Sequence, residues 1–353
     1  MTIPPFITID GRKIGAGQPC FIIAELSANH GRKLASALEL IEAAADAGAD
    51  AIKLQTYRAD TITLDSDAPW FQIRKGTVWE GQRLYDLYQE ANTPWEWHAE
   101  LFAAARRRGL ACFSSPFDST AVDFLEQLQC PAYKIASFEI VDHGLIRKAA
   151  STGKPLVIST GMASESEVSE AVEVARKYGS GEIALLKCVS AYPAPPDEMN
   201  LRTIAYLAER FQCPAGLSDH TLGITVPVTS VALGGVLIEK HLTMRRTDGG
   251  PDAHFSLEPH EFKAMVEGVR TAEKAIGTPS FDLTPSQTPS IQFRRSLFVA
   301  KNVAEGEVFT EANIRSVRPG DGLPPKHLDA ILGKRASRPL TYGSPLRWED
   351  IAS

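Results

Sequence analysis

Two short segments near the middle of the chain combine apolar residues with side chains that can bind a metal. In each, an apolar run ends abruptly, at Ser218–Asp219–His220 in the first and at Glu239–Lys240–His241 in the second. This pattern is typical of a buried parallel strand whose C-terminal end opens into an active site. The imidazoles of His220 and His241 could bind a divalent metal and leave coordination positions for water or substrate. Taken alone, the pair could equally be two core histidines with satisfied hydrogen bonds.

Two lysines and four serines stand at or just beyond the ends of predicted strands, and together they favour an anion site. The lysines are Lys53 and Lys134. The hydroxyl donors expected around them are Ser115, Ser137, Ser159 and Ser218. Cations and small donors offset the cost of desolvating a phosphate or a carboxylate. Any one of these serines is more readily explained as a helix cap, so the prediction depends on all six residues meeting at one rim.

Two carboxylates complete the predicted site. Glu25 ends the first predicted barrel strand and is a candidate base or water-mediated metal ligand. Asp252 follows two glycines and a proline in the loop after the last strand, where it could bind hydroxyls of a polar substrate. A metal next to a phosphate site suggests that a carbonyl group is polarised while a phosphorylated nucleophile is held against it.

The elements that must position these residues recur at a regular interval. The polar strand ends fall at residues 25, 53, 115, 134, 159, 188, 218 and 241. Each interval fits one strand–loop–helix unit, except the long one before residue 115. Eight parallel strands alternating with helices predict a (β/α)8 TIM barrel, an α/β fold whose chemistry sits at the C-terminal rim. A doubly wound open sheet is the alternative, but no GxGxxG follows the first strand.

Three regions fall outside this repeat. Asp10–Gly11, between two short alternating runs, predicts an N-terminal β-hairpin that covers one end of the barrel domain, residues 1–277. The aromatic stretch 56–93 predicts a lid or a substrate wall, with a surface loop as the alternative. Residues 278–292 are rich in Thr, Pro, Ser and Gln and predict a linker, and residues 293–353 predict a small β-rich domain.

Composition argues against several classes of function. The formal net charge of −6 disfavours nucleic acid or an anionic membrane as the main partner, so local cations must bind any anionic substrate. No apolar segment is long enough for a signal peptide or a membrane span, and we expect a cytoplasmic protein. The five cysteines have scattered spacings without a CxxC motif, which favours reduced thiols over disulfides.

An ordered set of short motifs along the whole chain resembles the sialic acid synthase family. The barrel segments that carry this resemblance are Ile23–His30, Ile52–Gln55, Phe113–Pro116, Tyr133–Ser137, Ser159–Met162, Gly216–His220 and Glu239–His241. Arg295–Leu297 and Val317–Gly320 resemble the C-terminal antifreeze-like (SAF) domain of the same family. Each motif is short, and the specificity of the resemblance comes from their number and order.

The resemblance implies a metal-dependent condensation of phosphoenolpyruvate with an acylamino-sugar aldehyde. Ser114–Ser115, Ala136, Tyr192–Pro196 and Phe255–Pro259 look most like the branch that uses 2,4-diacetamido-2,4,6-trideoxy-L-altrose and yields pseudaminic acid and phosphate. In N-acetylneuraminate synthases we expect Gly in place of Ala136 and Asn in place of Ser190. An N-acetylneuraminate or legionaminic acid synthase, using another acylamino-sugar, is the alternative.

Roles for individual residues follow from the resemblance. Phosphoenolpyruvate would be held by Lys53, Ser115, Lys134, Ser137, Ser159 and Ser218. The metal, Mn2+ or Mg2+ with Co2+ as a further candidate, would be bound by His220 and His241, and Glu25 would manage protons. The sugar site would contain Gln55, Tyr192, Asp252 and Arg318. In the family, the SAF domain of one subunit covers the barrel of the other, so Arg318 would reach the sugar site across a homodimer.

Two other classes of function stay open. A Lewis-acid aldolase or a metallohydrolase could use the two histidines, although the chain has neither an HxH pair on an early strand nor an HExxH helix. A barrel that has lost its activity, together with a SAF domain, could bind carbohydrate without catalysis. Release of phosphate from phosphoenolpyruvate that requires both metal and sugar separates the synthase from these alternatives.

Overall fold

The chain folds as two compact units, Met1–Gly277 and Thr278–Ser353. The computed structural model describes residues 5–76 and 79–352. The first unit is a closed barrel of eight parallel strands surrounded by helices, which confirms the predicted TIM barrel. Within these described ranges, no helix is long and apolar enough to cross a membrane.

The strands of the first unit form an N-terminal hairpin and the barrel. The hairpin pairs β1 (Phe6–Ile9) with β2 (Arg12–Gly15) in antiparallel register, as predicted. The barrel strands are β3 (Phe21–Glu25), β4 (Ala51–Thr56), β5 (Ala111–Pro116), β6 (Tyr133–Ile135), β7 (Leu156–Ser159), β8 (Ile183–Cys188), β9 (Ala215–Asp219) and β10 (Leu237–His241). They are neighbours in chain order, and β10 closes the barrel by pairing with β3.

Helices occupy the connections between the strands. They are α1 (Leu34–Asp46), α2 (Ala59–Ile62), α3 (Leu84–Ala91), α4 (His98–Arg107), α5 (Ser119–Gln127), α6 (His143–Ala150), α7 (Glu165–Tyr178), α8 (Thr203–Phe211), α9 (Thr225–Ala232) and α10 (Pro259–Ile276). Two of these helices have side-chain N-caps: Asp142 accepts a hydrogen bond from the backbone of α6, and Ser164 forms a capping box with Glu167. The buried face of α10 ends at Val269, and Ile276 at its last position is exposed.

The hairpin covers the N-terminal end of the barrel, opposite the strand ends that carry polar residues. Ile7, Ile9 and Ile14 are fully buried and belong to the same core as the barrel. Arg12 contacts Asp50, which directly precedes β4. Burial of three isoleucines contributes roughly 5 to 9 kcal/mol to this docking. The hairpin therefore leaves the C-terminal rim open.

The connection from β4 to β5 is the longest in the barrel and contains the aromatic stretch 56–93. It has internal structure: α2 and α3 pack together, and the Ile73 amide donates to the Gln82 carbonyl at 2.8 Å. Tyr57, Trp79 and Tyr88 of this stretch line a cavity at the rim, whereas Trp70 is 75% exposed. The stretch forms a wall of the cavity, in line with one of the two roles predicted for it.

The second unit has a small core of its own. Its strands β11 (Ser296–Val299) and β12 (Ile314–Val317) pair in antiparallel register, and its α-helix is α11 (Leu328–Ile331). Short 3-10 helices lie at Thr288–Phe293, Pro325–His327 and Trp348–Asp350. The side chains of the core include Leu297, Phe309, Ile314, Ile331 and Leu346.

All five cysteines of the chain are buried and free, as expected for reduced packing residues.

Candidate active site

The C-terminal rim of the barrel encloses a cavity of about 280 Å3. Ten of the thirteen residues selected from the sequence line it: Lys53, Gln55, Lys134, Ser137, Ser159, Tyr192, Ser218, His220, His241 and Asp252. Glu25 and Ser115 lie behind this lining, where both contact Lys53. Arg318 is exposed at the end of β12 in the second unit.

The floor of the cavity is a network of two lysines and two carboxylates. Lys53 forms an ion pair with Glu25, its Nζ lies 3.2 Å from Ser115 Oγ, and it lies 3.8 Å from Glu239 Oε1. Lys134 Nζ donates to the same Glu239 oxygen at 3.0 Å. All five side chains are almost completely buried. Two positive and two negative groups therefore balance in the absence of a substrate, and the lysines are held in place beforehand.

The two carboxylates differ in their affinity for a proton. Burial alone would raise the pKa of Glu239, but Lys134 and Lys53 outweigh this effect and hold the pKa at about 2. Burial raises the pKa of Glu25, and Lys53 offsets only part of that increase. Glu239 is thus the permanent anion, and Glu25 is the carboxyl group that can exchange a proton more readily. Neighbouring acids with divergent pKa values are typical of acid–base catalysis.

Glu239 is a central residue that sequence analysis did not select. It accepts hydrogen bonds from Lys134 and, at 3.1 Å, from Ser218 Oγ. The signal was present in the strand pattern: residues two apart on a strand share a face, so Glu239 must point inward with His241. A charged residue on the inner face of a buried strand needs a partner, and the two lysines supply it.

Three of the serines differ in how far their hydroxyl groups are satisfied. Ser137 Oγ hydrogen-bonds Ser190 Oγ at 2.8 Å, whereas Ser159 Oγ is buried without a partner among the described residues. Gly161 packs directly against this pair: a Cβ there would lie 2.4 Å from Cβ of Ser137, and the φ of +48° also favours glycine. The orphaned Ser159 hydroxyl is a donor available to an anion in the cavity.

The two histidines lie next to each other at the C-terminal ends of β9 and β10. Their ring centroids are 5.3 Å apart, and Phe255 packs edge-on against both rings. The Nδ1 atom of His220 lies 2.9 Å from the Val189 carbonyl, so in the neutral ring Nδ1–H donates and Nε2 keeps its lone pair. His241 Nδ1 is buried without a hydrogen-bond partner, and burial lowers the pKa of this ring well below its ordinary value. His241 therefore offers a lone pair directly, and His220 offers its Nε2 lone pair when the ring is neutral.

This donor set fits a divalent metal with two protein ligands. The unpartnered Nδ1 of buried His241 is the observation that tests the fit, because such an atom is costly unless a ligand satisfies it. Across residues 5–76 and 79–352, no cluster of three or more His, Cys, Asp or Glu side chains could hold a metal ion. The remaining coordination positions would be left to water or substrate.

A second polar network lines the side of the cavity where the sugar was predicted. Ser27 contacts Asp252 through its hydroxyl group and accepts a hydrogen bond from Gln55 Nε2 at 3.0 Å. The Ser27 amide donates to Glu25 at 2.9 Å, and the Ser27 backbone is left-handed, with φ of 46°. Tyr192 completes this side, with its ring centroid 4.5 Å from that of His220. Gln55, Asp252 and Tyr192 are thus brought together, and Ser27 joins them to Glu25.

Glu139 is a further carboxyl group in the cavity lining that the predicted site did not include. Its Oε2 atom is buried and has no partner among the described residues. Burial raises its pKa to about 7, and Asp142 adds to this effect. Its position two residues beyond Ser137 on the rim loop was the available signal.

Glu139 should make the stability of the protein depend on pH. Its pKa in the folded state, about 7, exceeds the ordinary value of 4.5, so the proton binds more tightly in the folded protein. Its contribution is complete below about pH 4.5 and is lost as the pH rises through 7. Relative to Glu139→Gln, the free energy of unfolding of the wild type should fall by at most about 3 kcal/mol from pH 5 to pH 8. Urea unfolding of both proteins across this pH range measures the difference. If the free energy of unfolding changes with pH equally in the wild type and in Glu139→Gln, the raised pKa of Glu139 is contradicted.

A buried ion pair behind the cavity fixes the two strands that carry the histidines. Asp219 and Lys240 are directly opposite each other in β9 and β10, and their side chains point away from the cavity. Their charged atoms are 2.6 Å apart and both side chains are 0% exposed. Asp219 also accepts hydrogen bonds from the amide and the hydroxyl group of Thr221. The pair thus orders the backbone on both sides of His220.

Loss of one member of this pair should be costly. Asp219→Leu or Lys240→Met alone should lower the free energy of unfolding by about 3 to 5 kcal/mol, because the remaining charge is buried without its partner. The double variant Asp219→Leu/Lys240→Met should lose less than either single variant. Chemical denaturation of the three variants measures this. If the loss of free energy of unfolding in the double variant equals the sum of the losses in the two single variants, the two groups are not coupled.

Comparison with known protein families gives a match to each part of the chain. The model of the NeuB family matches residues 40–280, and the model of the SAF domain matches residues 294–352. The first match covers most of the barrel and all of the cavity residues from Lys53 onward. The second coincides with the small unit that contains β11 and β12.

Individual proteins match over nearly the full length. The pseudaminic acid synthase of Campylobacter jejuni is 46% identical over 331 residues, which cover 94% of this chain and 96% of that protein. The N,N'-diacetyllegionaminic acid synthase of Legionella pneumophila is 36% identical and covers 96% of each chain. The crystal structure of the N-acetylneuraminic acid synthetase of Leptospira borgpetersenii superimposes with a TM-score of 0.73 at 33% identity, over 82% of this chain and 96% of that one.

Proposed function

The chain belongs to the NeuB family, and from this premise we propose that it condenses phosphoenolpyruvate with 2,4-diacetamido-2,4,6-trideoxy-L-altrose to give pseudaminic acid and phosphate. The resemblance inferred from the motifs is thereby confirmed at the level of the family, whose matching members are synthases. The chain is therefore a transferase-type enzyme. The choice of sugar is supported by the 46% identity to pseudaminic acid synthases.

One observation carries the proposal: an anion cradle and a pair of metal-competent imidazoles share a single cavity. Lys53 and Lys134 form the cradle, and His220 and His241 form the pair. A hydrolase would need the metal but not the cradle, and a carbohydrate-binding protein would need neither. The joint arrangement suits a reaction in which an enol phosphate attacks a polarised carbonyl.

In the proposed mechanism, the cradle binds phosphoenolpyruvate. Lys53 and Lys134 would bind its negative charges, and Ser137, Ser159 and Ser218 would donate hydrogen bonds. Ser115, which was expected to bind the same substrate, lies behind the lining and would act by holding Lys53 in place. Ser159 can do so at no internal cost, because its hydroxyl group has no partner in the described chain. The substrate would compete with Glu239 for both lysines, and the permanent negative charge of Glu239 would then face the reacting carbons. That charge would stabilise the cation that forms at C2.

The two histidines would hold a divalent metal, which supplies Lewis-acid polarisation of the aldehyde oxygen when bound. Synthases of this family are generally metal-dependent. Two imidazole nitrogens favour Mn2+ or Co2+ over Mg2+, since Mg2+ prefers oxygen ligands and keeps its waters. The Val189 carbonyl orients His220, and Phe255 holds both rings in place.

The chemical steps then balance as follows. C3 of phosphoenolpyruvate would bond to the aldehyde carbon as the C=O bond opens, which leaves a cation at C2 and negative charge on the aldehyde oxygen. Water would add at C2, and Glu25 would take a proton from this water and return one to the aldehyde oxygen, because its pKa is raised and it is linked to the sugar side through Ser27. The C2–O bond to phosphate would then break, with the proton of the C2 hydroxyl group passing to the departing phosphate as the ketone forms. Gln55, Asp252 and Tyr192 would orient the sugar.

The proposed assembly is a homodimer in which the SAF domain of one subunit covers the barrel of the other. Phe138, Met162 and Leu222 support it: these large apolar side chains are exposed on the loops that follow β6, β7 and β9, at the rim of the cavity. Exposed apolar side chains at a cavity mouth are typical of a surface that a partner covers. Arg318 would then complete the sugar site of the partner. The five buried free cysteines suit a reducing compartment, and we place the enzyme in the cytoplasm.

Mixed dimers test the shared site. His241→Ala and Arg318→Ala should each be nearly inactive alone, because each lacks one half of every site. The two variants are then mixed in equal amounts, unfolded and refolded together. Half of the resulting dimers should contain one subunit of each variant, and each of these mixed dimers has one intact site out of two. The mixture should therefore recover about a quarter of the wild-type activity. If Arg318 acts within its own subunit, mixing restores nothing.

The decisive test of the proposed function is a product assay. Purified protein with phosphoenolpyruvate and Mn2+ would be offered the altrose derivative, N-acetylmannosamine and the legionaminic acid precursor in competition, with the products identified by mass spectrometry. A nonulosonic acid derived mainly from the altrose derivative is expected. A product from another sugar would assign the chain to a sister activity, and absence of phosphate release with all three sugars would refute synthase function.

A further inference from the structure

The cavity has a second side that the mechanism above does not use. Besides the charged cradle, it is lined by an apolar wall made of Tyr57, Ile62, Leu84, Leu87, Tyr88 and Phe117. Four of the six come from α2 and α3, in the long connection between β4 and β5. Ile, Leu and Phe side chains neither donate nor accept hydrogen bonds, so a sugar hydroxyl pressed against them would lose its partners.

The position of the wall relates it to one end of the substrate. Lys53, Gln55 and Tyr57 lie at alternate positions along β4 and its extension, and all three line the cavity. At about 3.3 Å per residue, Tyr57 is roughly 13 Å beyond Lys53 along the strand. The reacting aldehyde must approach the cradle and the histidines, so the far end of the sugar, at C4 to C6, is the part that can reach the wall.

The wall is formed before any ligand binds. The Tyr57 ring packs edge-on against Tyr88, with centroids 5.8 Å apart, and against Phe117, with centroids 5.0 Å apart. Tyr57 and Leu87 are almost completely buried. A preformed surface of this kind discriminates between substrates without the cost of ordering it on binding.

One unpartnered donor is part of the same cavity. The indole Nε1 of Trp79 is buried and has no hydrogen-bond partner among the described residues, and its ring packs against Tyr192 with centroids 5.6 Å apart. An acetamido group has a carbonyl acceptor at one end and a methyl group at the other. A single N–H beside an apolar surface suits both ends.

We propose that the apolar wall and Trp79 select a 6-deoxy sugar that has an acetamido group at C4. The C6 methyl and the acetamido methyl groups pack on the wall, and the acetamido carbonyl accepts a hydrogen bond from Trp79. The inference rests on the proposed function, because it names how the same site chooses its sugar. N-acetylmannosamine has hydroxyl groups at C4 and C6 and would therefore place them against apolar side chains that cannot form hydrogen bonds with them.

The test compares two sugars on matched variants. With phosphoenolpyruvate and Mn2+ saturating, Leu87→Asn should lower kcat/KM for the diacetamido-trideoxy sugar by about 10- to 100-fold, and change it for N-acetylmannosamine by no more than about threefold. Trp79→Phe should lower only the former, by about 10-fold. Leu64→Asn is the control, because Leu64 lies in the same connection, is 64% exposed and does not line the cavity. If Leu87→Asn fails to fold by circular dichroism, the less buried Ile62→Asn replaces it.

A second readout separates this inference from the proposed function. Saturation-transfer NMR of the trideoxy sugar, without phosphoenolpyruvate so that no turnover occurs, should show the strongest transfer to the C6 and C4-acetamido methyl protons. Equal loss of activity with both sugars, or weak transfer to these methyl groups, would overturn the role of the wall even if pseudaminic acid is the product. A product from the legionaminic acid precursor, which is also a 4-acetamido-6-deoxy sugar, would overturn the proposed sugar but not the wall, whereas a product mainly from N-acetylmannosamine would overturn both.

Discussion

Replacement of either His220 or His241 by alanine is expected to abolish turnover and to weaken Mn2+ binding together. The two rings are the available nitrogen ligands in the cavity, and the buried His241 Nδ1 lacks any other partner among the described residues. Lewis-acid polarisation contributes several kcal/mol to such a reaction, so kcat should fall by at least about 1,000-fold. Loss of one ligand should weaken Mn2+ binding by roughly 100-fold or more.

Two measurements distinguish the effect of these substitutions on metal binding from their effect on activity. Titration of free Mn2+ followed by electron paramagnetic resonance reports affinity, and phosphate release from phosphoenolpyruvate reports turnover. His260→Ala is the matched control, because this histidine is 76% exposed at the start of α10 and lies outside the cavity. The double variant should be no worse than either single variant, since the two ligands act as a unit. Variants that keep the affinity of the wild type for Mn2+ would show that the metal binds elsewhere.

The barrel could be predicted from the sequence because its signal is local. Each strand is a short apolar run that stops at a polar residue, and this transition can be recognised one strand at a time, as at Ala24–Glu25 and Val157–Ser159. Closure of the barrel then brings the polar ends to one rim without any further information. The same logic placed Lys53 and His241 in one cavity although they are almost 190 residues apart in the chain.

The remaining features of the site depend on the direction in which side chains point and on the residues that they contact. The strand pattern indicates that Glu239 points inward, but its role could not be predicted, because its partners Lys53 and Lys134 come from β4 and β6 and a local pattern does not reveal pairing across the barrel. The apolar wall combines Phe117 with residues of α2 and α3, whose apolar positions have no period that would assign them to a cavity. The aromatic stretch was therefore predicted as a lid or a wall, without a choice between them.

Replacement of Lys53 by methionine should separate the binding of phosphoenolpyruvate from the stability of the barrel. The variant keeps the apolar stem and removes the charge that lies between Glu25 and Glu239. Glu25 would then be buried without a cation, and the free energy of unfolding should fall by about 3 to 5 kcal/mol. Loss of one charge-assisted hydrogen bond to the substrate should raise the KM for phosphoenolpyruvate by about 10- to 100-fold.

A second substitution tells the two effects apart. In Lys53→Met/Glu25→Gln the uncompensated charge is gone, so the free energy of unfolding should largely recover, while the KM for phosphoenolpyruvate stays high because the cradle still lacks its cation. Lys187→Met is the matched control: it removes the same charge at the end of β8, where Lys187 does not line the cavity. Urea denaturation and steady-state kinetics on these variants suffice. If KM recovers together with stability, Lys53 serves only to neutralise Glu25, and the anion must bind to Lys134 alone.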